Sequence, residues 1–224
     1  MLKTLLQTIK ISGVSMLLLG MVFLGFAYVE PSLVSAATAA DNVTVTLTVD
    51  EAISISDGAN VTMAPNIGVA TDESVGTTAW TVITNATAGY TLSVKADQTP
   101  ALQSASDGFD DYTEGTPGTP DVWSVDAGTI QFGFSAYGDD VETEYVDAST
   151  DGSPESSCPT TGTLGSTDHG YEGFTTSDES VSSSSATTTT SGTVTNLCFA
   201  AAQNGVLAPS GTYTATITAT AATN

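Results

Sequence analysis

From residue 43 onward the chain alternates. Val43, Val45, Leu47, Val49, Ile53 and Ile55 share one parity, and threonines fill the gaps between the first four. A period of two marks a strand with one face on a core and the other in water. The run predicts one long strand bent near Glu51, or two strands meeting there. Asp57-Gly58 supplies a turn, and Val61 to Ala64 a short strand ahead of Pro65. Ala79 to Thr84 and Tyr90 to Ala96 flank Asn85 to Gly89, which predicts a hairpin with a five-residue loop. In its second arm Tyr90, Leu92, Val94 and Ala96 face inward. Between Asp97 and Ala127 the pattern weakens to isolated anchors, Leu102, Phe109, Tyr112 and Trp123, among proline-marked loops. Thr129 to Ala136 alternates again. Asp139 to Ser191 is acidic and rich in Ser and Thr, and reads as a long surface insertion, mobile at least between Val181 and Ser191. Gly192 to Ala202 and Gly211 to Ala221 then predict a closing antiparallel hairpin across residues 203–210. In its last arm Tyr213, Ala215, Ile217, Ala219 and Ala221 take the core side, and Thr212, Thr214, Thr216, Thr218 and Thr220 take the wet side, where their branched Cβ suits the pleat.

Short strands separated by Gly, Pro and Asp turns, with no helical period after the first 36 residues, point to an all-β fold. The expectation is a single immunoglobulin-like or jelly-roll-like β-sandwich over residues 37–224, carrying a loop-rich insertion over about 139–191 and preceded by an N-terminal signal helix. Pro209-Ser-Gly-Thr-Tyr213 followed by alternating threonines resembles the terminal strand of secreted bacterial β-sandwiches of the spore-coat-U-like, fimbrial and biofilm-fibre kinds. The likeness covers roughly the last thirty residues and the turn around Gly89-Tyr90. It implies an extracellular structural protein and carries over no catalytic residue.

Lys3 and Lys10 precede an uncharged stretch, Ile11 to Val29, and Val34-Ser35-Ala36 follows with small side chains. That arrangement predicts a signal peptide over residues 1–36 with cleavage between Ala36 and Ala37. The competing expectation is an uncleaved anchor, with residues 11–29 in a membrane. Both place the remainder in a secreted, extracellular or cell-surface location, because the two lysines hold the N-terminus inside. Gly25 to Glu30 mimics a prepilin cleavage spacing, but Pro31 and polar residues follow it where an apolar helix is required.

The full chain has 25 acidic residues against three lysines and no arginine, a formal charge of −22. Loss of the leader removes Lys3, Lys10 and Glu30, leaving Lys95 as the sole basic side chain and a charge of about −23. Such a surface has no basic patch for nucleic acid or anionic lipid.

Candidate chemistry is sparse. His169, between Asp168 and Gly170, is the only histidine and is expected in an exposed loop, without the fixed geometry that a catalytic base needs. One histidine and two cysteines cannot close a tetrahedral metal site without carboxylates. Calcium is the better ligand expectation. Asp147 and Asp151, ahead of Gly152, imitate the opening of a calcium loop, although Cys158 stands where its bidentate glutamate belongs. Asp107, Asp110, Asp111 and Glu114 form a second acidic cluster. Cys158 and Cys198, two cysteines in an exported chain, are expected to pair.

These readings leave a non-enzymatic structural subunit at the cell surface, self-associating or joining other surface proteins. Its first strand, Val43, Val45, Leu47 and Val49, is expected to be lent to a neighbour, since processing after Ala36 would free it; the alternative is pairing within its own domain. The competing function is an extracellular carbohydrate-binding module, calcium-dependent or not, with Trp80 or Trp123 as an exposed platform. A secreted hydrolase would need a cleft holding a carboxylate pair.

Overall fold

Tyr90, Leu92, Val94 and Ala96 are buried while Thr91, Ser93 and Lys95 are half-buried, so the alternation of this stretch is realised as a strand. A computed structural model describes residues 38–148, 156–165 and 169–224. The leader, the 11–29 stretch and the Ala36–Ala37 cleavage site lie outside the described residues, as does Asp151. The chain divides into two units, 1–48 and 49–224. In the first, residues 38–48 form no regular secondary structure and are exposed.

Among its described residues the second unit is all-β apart from one helical turn. Its strands are β1 (Ile53–Ile55), β2 (Glu73–Thr84), β3 (Tyr90–Ala96), β4 (Leu102–Gln103), β5 (Gly108–Asp111), β6 (Asp121–Val122) and β7 (Thr129–Gly138). After the turn α1 (Thr143–Val146) come β8 (Gly170–Tyr171), β9 (Glu179–Ser184), β10 (Thr193–Asn204) and β11 (Ile217–Thr223). A six-stranded sheet runs in the order β1-β2-β10-β7-β5-β4, a three-stranded sheet in the order β11-β3-β9, and β6 pairs with β8. All pairings are antiparallel except that of β5 with β7.

One apolar core joins the two larger sheets. Val82, Phe134 and Leu197 of the wide sheet meet Leu92, Val94 and Val181 of the narrow one, all fully buried. Each side chain of this size contributes roughly 1.5–3 kcal/mol by leaving water. The wide sheet is also covered on its other face. On β10 Leu197, Phe199 and Ala201 point to the shared core, while Ala200 and Ala202 pack under Tyr112, Trp123, Leu164 and Tyr171. Tyr112 stacks on Trp123 with ring centroids 4.6 Å apart, and Trp123 meets Tyr171 edge-on at 4.9 Å. Gly133 of β7 makes room for this layer: a Cβ there would lie 2.8 Å from the Glu172 carbonyl and from the Tyr112 Cβ. Cys158 is bonded to Cys198 of β10 with Cα atoms 5.4 Å apart, which clips the segment before β8 to the same face.

Several expectations change. The closing hairpin is not formed, since β10 lies between β2 and β7 while β11 joins β3 in the other sheet. The side chains explain this: β10 is apolar on both parities from Leu197 to Ala202 and needs cover on two faces. β11 is apolar on one parity and suits an edge. Likewise β2 and β3 are joined by Asn85 to Gly89, yet they belong to different sheets, so the turn is an arch and not a hairpin. Of the first alternating run only Ile53–Ile55 is a strand. Val61 to Met63 forms none, and Ala64 makes a single bridge to Val75. The supposed surface insertion is largely structural. It supplies α1, β8 and β9, and it buries Tyr145, Leu164, Tyr171, Phe174 and Val181. Ser182, placed by the sequence in a mobile tract, is fully buried beside the Tyr90 hydroxyl at 3.4 Å. His169 is 1% exposed and its ring lies 6.4 Å from that of Tyr171, so it is packed and not a loop-tip histidine.

Candidate assembly site

Two features stand out once the core is accounted for. The first is the alternating stretch itself. Val43, Val45, Leu47 and Val49 are 82%, 88%, 85% and 73% exposed. None is in a strand. Isolated exposed apolar residues are ordinary, but four in phase within an uncharged run are not.

The second is the outer edge of β11. The other sheet edges are short or covered. β1 has three residues. β4 is bridged by Thr214, whose N–H donates to the Gln103 carbonyl at 2.8 Å. β9 is flanked by residues 140–142, with Ser183 N–H donating to the Asp140 carbonyl and Glu142 N–H to that of Val181. β11, seven residues long, pairs only with β3 among the described strands. Its hydrogen-bonding phase is fixed at both ends: Asp97 N–H donates to the Thr216 carbonyl at 3.1 Å and Asn224 N–H to the Gly89 carbonyl at 3.3 Å. Because an antiparallel ladder alternates, the even-numbered residues bond to β3. Ile217, Ala219, Ala221 and Thr223 therefore aim their N–H and C=O groups away from it. Their side chains face the core and are only half-buried.

A cavity of about 250 Å³ lies elsewhere, lined by Pro120, Glu142, Glu144, Tyr145, Glu172 and Glu179 among others. Tyr145 donates its hydroxyl proton to Glu172 Oε2. The Glu172 carboxyl is pushed from 4.5 up to about 7, chiefly by burial, with Glu179 and Glu114 adding repulsion and the tyrosine opposing it. Burial raises Tyr145 and Glu179 as well. The sequence pointed to none of these side chains, since Glu172 is one acid among many in a polar tract; the aromatic run Tyr171 to Phe174 around it was the available signal. The cavity offers a proton donor near neutral pH. Glu142, Glu144 and Glu179 line the same cavity, and Glu142 accepts the Ser180 hydroxyl at 3.1 Å.

Of the residues proposed for calcium, Asp151 lies outside the described residues and the others sit in separate local contacts. Asp107 accepts from Ser106 Oγ in the turn before β5. Asp110 and Asp111 are neighbours on β5 and so point to opposite faces. Asp111 accepts the Ala101 N–H at 2.9 Å and is pushed up, chiefly by burial. Glu114 accepts the Gly173 N–H. Asp147 follows α1, remote in sequence from these. Among the described residues no three His, Cys, Asp or Glu side chains form a group that could hold a metal ion. Trp80 and Trp123 are 8% and 6% exposed, so neither ring offers a platform to a sugar. No helix among the described residues is long and apolar enough to cross a membrane. No family model, curated protein or solved structure matches the chain.

Proposed function

We propose that the protein is an extracellular structural subunit, a β-sandwich with an added layer on its wide sheet, which assembles by lending Val43 to Val49 to a neighbouring copy. The observation that carries this reading is the exposure of four in-phase apolar side chains in a stretch free of charge, on a chain whose formal charge is −22. Water solvates the acidic remainder well, so the neutral stretch gains most by finding cover. Thr44, Thr46 and Thr48 would keep the opposite face of an added strand wet. A disulfide between Cys158 and Cys198 fits an oxidising compartment outside the cell. The carbohydrate-binding alternative loses its aromatic platform with the burial of both tryptophans.

The test is assembly. Protein produced from the full chain should form multimers by light scattering and filaments by negative-stain microscopy. A Val45→Asp, Leu47→Asp double variant should stay monomeric while keeping its melting temperature. Wild-type protein that remains a monomer at all concentrations would overturn the reading.

A further inference from the structure

The geometry points to the free edge of β11 as the acceptor for the Val43–Val49 segment of a second copy. This inference rests on the assembly reading above and adds the surface where the lent strand binds. Three observations on the molecule converge on that edge.

The first is main-chain valence. Ile217, Ala219, Ala221 and Thr223 hold their N–H and C=O groups on the side away from β3, as the bonds at Thr216 and Asn224 require. A long unpaired edge invites another strand, which is why proteins shorten or cover such edges. Here the covering devices are present elsewhere: Thr214 closes β4 and Val141 bridges Ser182 of β9. β1 approaches β11 from the other sheet but forms no ladder with it.

The second is incomplete cover over the core. Ile217, Ala219 and Ala221 pack against the shared core yet stay half-buried, and so do Ile53 and Ile55 of β1. Tyr90, Leu92 and Val94, one strand further in, are fully buried. A strand added beside β11 would place one parity of its side chains over the same exposed rim. Val43, Val45, Leu47 and Val49 supply four apolar residues on that parity, and the segment and β11 are both seven residues long.

The third is charge. Residues 42–49 and 205–224 contain no charged side chain, whereas the rest of the chain is strongly acidic. Two copies repel one another over most of their surface. Contact is cheapest where both partners are neutral, and this pairing of a segment with an edge meets that condition on both sides. Main-chain bonds would supply the affinity, and the alternating side chains the register. The added strand extends a complete narrow sheet from three strands to four; it replaces no missing element of the fold.

The experiment compares edge and segment variants in protein from the full chain. Ala219→Pro removes an outward N–H and leaves the β3 ladder intact, a position where an edge strand tolerates proline. It should weaken self-association at least tenfold, read by sedimentation, with an unchanged far-ultraviolet spectrum. Should that variant misfold, a second measurement decides: chains carrying Ala219→Cys are mixed with chains carrying Val43→Cys, Val45→Cys or Leu47→Cys and oxidised. An intermolecular disulfide at one of the three segment positions, absent for Thr44→Cys and Thr46→Cys, supports the edge. If Val45→Asp, Leu47→Asp abolishes assembly while Ala219→Pro leaves it intact and no cross-link forms, the edge assignment is wrong and the lent segment stands. If the segment variant leaves assembly unchanged, or the wild type does not assemble, the segment reading itself fails.

Discussion

Glu172 is the side chain whose replacement gives the clearest energetic signal. It is 4% exposed, it accepts the Tyr145 hydroxyl, and Glu179 and Glu114 add negative potential. Its pKa is raised from 4.5 to about 7, so the folded protein keeps a proton on this carboxyl at pH values where the unfolded chain has lost it. Stability therefore falls as pH rises from about 4.5, and the full penalty is present above about 7. The two values correspond to about 3 kcal/mol, and because Glu172 lines an open cavity, solvent screening lowers the working figure to roughly 1–3 kcal/mol. Glu172→Gln keeps an acceptor for Tyr145 and cannot ionise. At pH 8 the variant should be more stable than wild type by that amount, a rise of roughly 2–4 °C in melting temperature per kcal/mol for a domain of this size. At pH 4.5 the gain should vanish. Other carboxylates also repel one another, so only the difference between the two proteins isolates Glu172. The assay is urea unfolding of both at half-unit steps from pH 4.5 to 8. A pH-independent difference, or a variant less stable than wild type at pH 8, would refute the argument.

Reduction of the disulfide should destabilise the fold by about 4 kcal/mol in the chain-entropy treatment of a loop this long, given a separation of 40 residues between Cys158 and Cys198. Denaturation with and without reductant measures this, and the denatured, unreduced protein should take up no thiol label. Gly133→Ala should cost roughly 1–3 kcal/mol by overpacking, because its Cβ would press on Tyr112 and on the Glu172 backbone. Its melting temperature should fall, and near-ultraviolet dichroism from Trp123 should change with it.

What the sequence disclosed tracks how many faces each strand buries. β3 was legible because one-sided burial writes a period of two into the chain; β7 is buried on both faces, and it alternated only because Gln131, Gly133 and Ser135 on its second face are polar or small. β10 was placed in outline, yet its partners were not. The run Leu197 to Ala202 is apolar on both parities, which announces a strand covered on two sides, and its reading as a hairpin arm ignored that. β9 was invisible for the opposite reason. Val181 is its only apolar residue of size, and Ser182 is buried through its place beside Tyr90, a contact 92 residues away in sequence. Local pattern carries no record of such a partner. The same holds at the cavity, where a glutamate becomes unusual only after Tyr145 and Glu179 fold against it. At the candidate assembly site the alternation of Val43 to Val49 was visible without context, but the strand it predicted is not formed in this chain. The β11 edge was not, since which strands pair among the described residues is a matter of topology and leaves no mark on the local pattern.

Net charge turns the assembly reading into a statement about salt. Lys95 is the sole lysine or arginine after residue 10 and lies 3.0 Å from Asp178, so residues 37–224 bring almost no side-chain cation to pair with the acids of a second copy. Electrostatics between copies is then almost wholly repulsive, and under the proposed assembly the attraction would come from apolar cover and main-chain bonds, which salt does not screen. Raising ionic strength shortens the Debye length from about 30 Å at 0.01 M to about 3 Å at 1 M. Association should strengthen steadily over that range, the reverse of an interface built on ion pairs. A calcium series at matched ionic strength separates screening from a bound ion: a gain beyond that of sodium would mark a site among the acidic residues. Sedimentation across a salt series, repeated with Val45→Asp, Leu47→Asp, separates the two contributions. Association that weakens with salt would mean charge pairing at the interface and would contradict a neutral strand seated on a neutral edge.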